Sequence, residues 1–228
     1  RFHAKIITIG AESDSIILDF FSGSATTAHA VMKLNAEDGG HRKFIMVQLP
    51  EVTDEKSEAR KAGYANICEI GKERIRRAGK KVKEEAGLQG QDLDIGFRVL
   101  KLDSSNMEDV YYTPDDLTEQ TLFNSVDNVK PDRTPLDLLF QVLPELNIEL
   151  SARIEEKEVH GKKVFMVNGD QLIATFDTDV NESTITEIAK LRPIYFVMRD
   201  ASAENDNVLD NFEQIFKHYS PDTILRIL

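Results

Sequence analysis

IILDFFSGSATTAHAV, residues 16–31, begins with three aliphatic side chains and ends that run at an acid, Asp19. Two aromatics come next, Phe20 and Phe21, then the small residues Ser22, Gly23, Ser24 and Ala25, and then a helix-compatible run from Thr26 to Leu34. An aliphatic run bounded by turn residues reads as a buried parallel strand over 15–21. The small residues read as a tight turn, and the run from Thr26 as a helix whose N-terminus points back at the strand end. In an open α/β sheet, ligands bind outside the carboxyl ends of strands, at such a junction. Gly23 takes backbone angles closed to other residues and lets main chain approach a ligand. Asp19 sets a fixed negative charge beside it.

The flanking sequence extends this unit in both directions. Residues 35–41 (NAEDGGH) read as a polar turn, and 43–49 (KFIMVQL) as the next buried strand. Strand, helix and strand over about 35 residues make a βαβ unit. Upstream, residues 1–12 hold an apolar patch, Ile6, Ile7 and Ile9, that reads as the tail of a helix or strand. Downstream, 53–60 is charged and solvated. Residues 64–86 read as a helix with Ile67, Ile70, Ile75 and Val82 on its apolar side. Between Lys72 and Lys83 that helix carries seven basic residues and one acid, Glu73. Such a stripe fits phosphate. It also fits the commoner case, a solvated helix with its cations near the negative C-terminal end. Cys68 reads as a small packed residue with no base near it in sequence.

Residues 87–94 break the pattern, 96–102 (GFRVLKL) alternate like a strand, and 103–135 are polar and aperiodic, a long connector. From Pro135 a second module begins. Residues 136–146 read as an amphipathic helix with Thr134 as N-cap. Residues 148–155, 163–167 and 172–176 read as short strands, and Asn168-Gly169 supplies a hairpin turn. A helix over 183–191, a buried strand over 193–198, a helix over 207–218 and a last strand over 224–228 complete a small α/β domain.

Composition sets the outer limits. The chain has 228 residues, 41% of them hydrophobic, enough for one large or two modest domains. No apolar run approaches a membrane span. The single cysteine rules out an internal disulfide and fits a reducing, cytoplasmic compartment. Net charge is −12. It is unevenly spread: residues 1–90 hold 15 Lys/Arg against 13 Asp/Glu, and residues 91–228 hold 13 against 27. The asymmetry points to two domains with different duties, and the acidic one is a poor surface for phosphate. The five histidines stand without ligand spacing, so no metal site is expected. His29 reads as a packed or exposed helix residue rather than a base. Neither a P-loop nor a G-x-S-x-G elbow is present.

The loop also carries a resemblance. DFFSGSATT resembles the D-x-F-x-G-x-G-T-T loop of DNA methyltransferases that modify exocyclic amines. Together with the sequence downstream of it, the loop most resembles the modification subunit of type III restriction–modification systems. Asp19, Phe21, Gly23, Thr26 and Thr27 fall on the pattern, while Ala25 stands where the second glycine usually is, at the cost of one methyl group of clearance. RPIYFVMRD and NDNVLDNF resemble the C-terminal domain that the family uses for subunit pairing.

The resemblance implies an α/β chain with a partial Rossmann-like S-adenosylmethionine-dependent methyltransferase sheet in residues 1–96. A connector over 97–134 and a C-terminal α/β assembly domain over 135–228 would come after it. It implies that Asp19, Phe20, Phe21, Ser22, Gly23, Ser24, Thr26 and Thr27 bind S-adenosylmethionine, with either Gln48 or Glu51 meeting the ribose hydroxyls. The plain alternative for Glu51 is an acid preceding an exposed segment. The implied partners are double-stranded DNA, a second copy in a homodimer, and a restriction subunit; the implied target, by resemblance alone, is adenine N6.

Methyl transfer to such an amine asks mainly for positioning of donor and acceptor. In this family a [DN]-P-P-[YFW] motif grips the flipped base. None of the seven prolines is adjacent to another, so no catalytic residue is assigned within this chain. The motif is expected upstream of Arg1, and the chain, which starts without Met, reads as an inactive fragment. Two other readings are an assembly module with a vestigial loop and a methyltransferase acting on another substrate.

Overall fold

The computed structural model describes residues 2–108, 128–203 and 206–228. The connector expected over 103–135 lies in part outside them. The chain is mixed α/β and forms two compact units, Arg1–Val99 and Leu100–Leu228. Among the described residues no helix is long and apolar enough to cross a membrane.

In the first unit α1 (Phe2–Gly10) leads into β1 (Ile16–Asp19), α2 (Thr26–Asp38) and β2 (Lys43–Met46). β1 and β2 pair in parallel from Ile16 opposite Lys43 to Asp19 opposite Met46, so the βαβ unit is present. A short helix α3 (Glu58–Lys61) precedes α4 (Ile67–Ala86), which Asn66 caps by accepting the Glu69 N–H. α2 lies between α1 and α4. Val31 and Leu34 pack with Ile7 of α1, and Ala28 and Met32 pack with Ile75 and Ala78 of α4. Ile17, Phe44 and Met46 close this core from the sheet.

Several expectations change. The aliphatic runs predict fully buried strands, yet the burial of β1 and β2 alternates. Ile16 is 55% exposed, Leu18 57% and Ile45 49%, because the helices cover only one face of a two-stranded sheet. The turn expected over 35–41 starts late. The helix runs on to Asp38 and closes at Gly39, whose φ of 69° is the left-handed C-cap that glycine favours. Asn35 sustains the extra turn by trading hydrogen bonds with the Arg42 backbone, its Nδ2 donating to O (2.9 Å) and its Oδ1 accepting from N (3.2 Å). Residues 96–102 form no strand: no described neighbour offers them a ladder, and Phe97 instead packs on the α2–α4 core. The helix expected from 64 starts at Ile67, after its cap.

In the second unit α5 (Pro135–Glu145) opens with a complete capping box. Thr134 accepts the Asp137 N–H through its side chain, and the Asp137 carboxylate accepts the Thr134 N–H. The strands β3 (Ile154–Val159), β4 (Lys162–Val167) and β5 (Leu172–Thr175) form an antiparallel meander. Helix α6 (Glu182–Lys190), strand β6 (Tyr195–Met198), helix α7 (Asp206–Tyr219) and strand β7 (Ile224–Ile227) then extend the sheet in parallel. The five strands lie in chain order.

Period-two alternation sorts the side chains to two faces. Phe165, Leu172, Ala174 and Val197 meet Leu138, Leu139, Val142 and Leu143 of α5. Val164, Ile173, Phe196 and Met198 meet Ile185 and Ile188 of α6 and Phe212 and Phe216 of α7. The Asn168-Gly169 hairpin forms with φ of 49° and 78°, the positive pair that such a turn requires. The strand expected over 148–155 begins only at Ile154 and runs to Val159, its pairing with β4 setting the limits.

Candidate functional site

The loop between β1 and α2 is held from three directions. From β1, the Asp19 carboxylate reaches forward: Oδ2 accepts the Thr27 hydroxyl at 2.5 Å and Oδ1 accepts the Phe21 N–H at 3.2 Å. From β2, the ladder continues past the strand ends, with Val47 N–H donating to Asp19 O (2.8 Å) and Ser22 N–H to Val47 O (3.2 Å). Beyond it, Gln48 Oε1 accepts the Gly23 N–H at 2.7 Å. From α4, Gly71 lies against the loop, a Cβ built there standing 3.5 Å from Gly23 O and 3.6 Å from the Ala25 Cβ. The Cys68 thiol donates to the Gln48 carbonyl at 3.5 Å.

Two closely spaced reversals shape the loop. Gly23 has φ of 52° and Ala25 has φ of 60°, both left-handed. Ala25 is the residue before α2, and its side chain cannot cap the helix. The first N–H groups of α2 therefore meet no capping side chain, at the positive end of the helix dipole. Ala25 itself is buried, packed with Ala28, Ile75 and Ala78. Phe20 and Phe21 stand beside the loop, 61% and 83% exposed, their rings 5.2 Å apart.

The sequence-read residues thus divide. Asp19, Phe20, Phe21, Ser22, Gly23, Ser24, Thr26 and Thr27 are together around one loop. Gln48 joins them through Gly23, and its Nε2 donates to Leu49 O at 3.2 Å, so its amide is used to hold protein. It lies beyond the end of β2 rather than within the strand. Glu51 is exposed, and its backbone is tied to the start of α4 by the Ile67 N–H at 3.0 Å. Nothing in the sequence marks Cys68 and Gly71 as neighbours of the loop; a contact across about 45 residues leaves no periodic trace.

The arrangement is one for binding. A carboxylate with spare lone pairs suits a cation, uncapped helix N–H groups suit an anion, and a Cβ at Gly23 would meet nothing within 4 Å. Among the described residues no group of three or more His, Cys, Asp or Glu side chains could hold a metal.

No family model matches the chain. Over part of its length it is homologous to modification subunits of type III restriction–modification enzymes. It is 46% identical over 94 residues to the StyLTI Mod subunit of Salmonella typhimurium, covering 41% of this chain and 14% of that one. It is 40% identical over 116 residues to the EcoP15I Mod subunit of Escherichia coli, covering 48% and 18%. The type II methyltransferase M.KpnI of Klebsiella pneumoniae is 44% identical over 66 residues, 29% of this chain and 16% of that enzyme. The chain spans less than a fifth of the length of these relatives.

Proposed function

We propose that the chain is part of a DNA methyltransferase of the type III modification kind, and that its first unit binds S-adenosylmethionine at the loop from Asp19 to Thr27. In the cytoplasm it would work with DNA, with a second copy and with a restriction subunit. The loop geometry carries this reading. The residues present fit the group: Asp19 would take the ammonium, the uncapped N–H groups of α2 the carboxylate, and the exposed Phe20 and Phe21 rings the adenine. Gln48 is engaged with Gly23, so the exposed Glu51 carboxylate is the better acceptor for the ribose hydroxyls. When bound, S-adenosylmethionine supplies an electrophilic methyl group. The chain's own residues bind and orient it, in a partial Rossmann-like arrangement of β1, α2 and β2. Adenine N6 as target is supported by resemblance. The C-terminal α/β domain, residues 135–228 within the second unit, is the assembly part.

Calorimetric titration of S-adenosylmethionine into the chain and into Asp19→Asn tests the reading. Saturable binding weakened at least tenfold in the variant is expected. A folded chain that takes up no cofactor, or a variant that binds as well, would count against it. The chain alone should transfer no methyl group to DNA, since the base-gripping motif is not in its sequence.

A further inference from the structure

Seven basic residues lie between Lys72 and Lys83, and the structure neutralises most of them within α4. Lys72 pairs with Glu69 (2.6 Å), Arg77 and Arg76 share Glu73 (2.7 and 3.7 Å), and Lys80 and Lys81 reach Glu84 and Glu85 (3.9 and 3.7 Å). The last two are long pairs between exposed side chains and hold little. Arg74 has no ion pair or side-chain hydrogen bond among the described residues, and it lines a groove of about 380 Å³ between α2 and α4. Arg77 and Lys81 line the same groove, with Tyr64 and with His29 of α2. Glu73 is the acid in this lining, and two arginines share its charge.

The geometry points to this groove as a site for the sugar–phosphate backbone of DNA, with Arg74, Arg77 and Lys81 as its cations. Positions 74, 77 and 81 recur at helical spacing, so their side chains share one face. They span about 10 Å at 1.5 Å per residue. A DNA strand presents its phosphates at a fixed spacing, so a row of cations of that length can meet more than one of them. The field in the groove is positive already. His29 is held below its ordinary 6.5 by burial first, then by Arg74, Lys33 and Lys81, with Glu85 opposing. An acidic protein segment would meet the same cations but has no fixed charge spacing to match them. The assignment rests on the reading that the chain acts on DNA, and it is independent of the cofactor loop.

Fluorescence anisotropy with a short duplex of unrelated sequence, over a range of salt, tests it. Arg74→Gln and Lys81→Gln should each weaken binding and lower the log–log salt slope by about one, alike for any sequence. Arg74→Lys should keep most of the slope, and circular dichroism should show all three folded. The proposal is overturned if the parent chain binds no duplex at low salt, or if the glutamine variants keep the parent slope. Arg74-dependent binding of polyglutamate without duplex binding would also overturn it, in favour of an acidic protein. Arg74-dependent duplex binding in a chain that takes up no S-adenosylmethionine would leave the groove standing and remove the cofactor reading alone.

Discussion

Gly40 has little room for a side chain. A Cβ there would stand 2.5 Å from Arg42 Nη1, 2.9 Å from Asp38 Oδ1 and 2.9 Å from the Ser13 carbonyl. The first two atoms belong to an ion pair whose arginine is 6% exposed, and the third is backbone. The buried, paired guanidinium and the backbone carbonyl cannot yield cheaply, so Gly40→Ala should cost about 1–3 kcal/mol in urea unfolding. A second residue-scale test is His29. Its pKa is depressed, so the folded state resists the proton that the unfolded chain accepts. Stability from this group is therefore full above 6.5 and falls as pH drops below it. His29→Gln should flatten the fall in urea midpoint between neutral and mildly acidic pH, and an unchanged fall would refute this. Legibility in the sequence at this scale is local. Gly23 reads as a special backbone position and has positive φ, whereas the left-handed Ala25 is marked only by standing where the family pattern has glycine. Its conformation is imposed by the packed side chains around it. Nor does spacing show that Gln48 spends its amide on Gly23, a bond across 25 residues.

At the scale of elements, capping chemistry is the most legible signal. Thr134 with Asp137 three residues on marks the start of α5, and the box closes in both directions. Thr134→Ala should lower stability by about 1 kcal/mol in thermal or urea melts of the chain, and a neutral result would mean that packing alone holds the helix end. Asn168-Gly169 is legible for a related reason, since few pairs accept two positive φ values. Strand ends are less so. A strand stops where its partner's hydrogen bonds stop, and β3 is fixed by β4 rather than by its own composition. Alternation over 96–102 misleads because it reports a face and not a neighbour. The polar run at 35–41 misleads because Asn35 satisfies itself against Arg42 inside a helix.

At the scale of the molecule, the chain forms two compact units, Arg1–Val99 and Leu100–Leu228. The loop resemblance locates the homologous family; composition alone yields only a folded, acidic protein. Hidden from the sequence is how much of the first sheet is bare. Ile16, Leu18 and Ile45 line the exposed face of that sheet, in a chain of net charge −12. Repulsion between copies vanishes near the isoelectric point of about 4.9. There the uncovered aliphatic stripe should win, and turbidity should peak and clear again as pH is raised. Leu18→Thr should narrow that window, whereas a peak of unchanged height would lay the precipitation on charge alone. Handling the protein is thus a contest between its net negative charge and one greasy strand pair, best conducted well above the isoelectric point and in low ammonium sulfate.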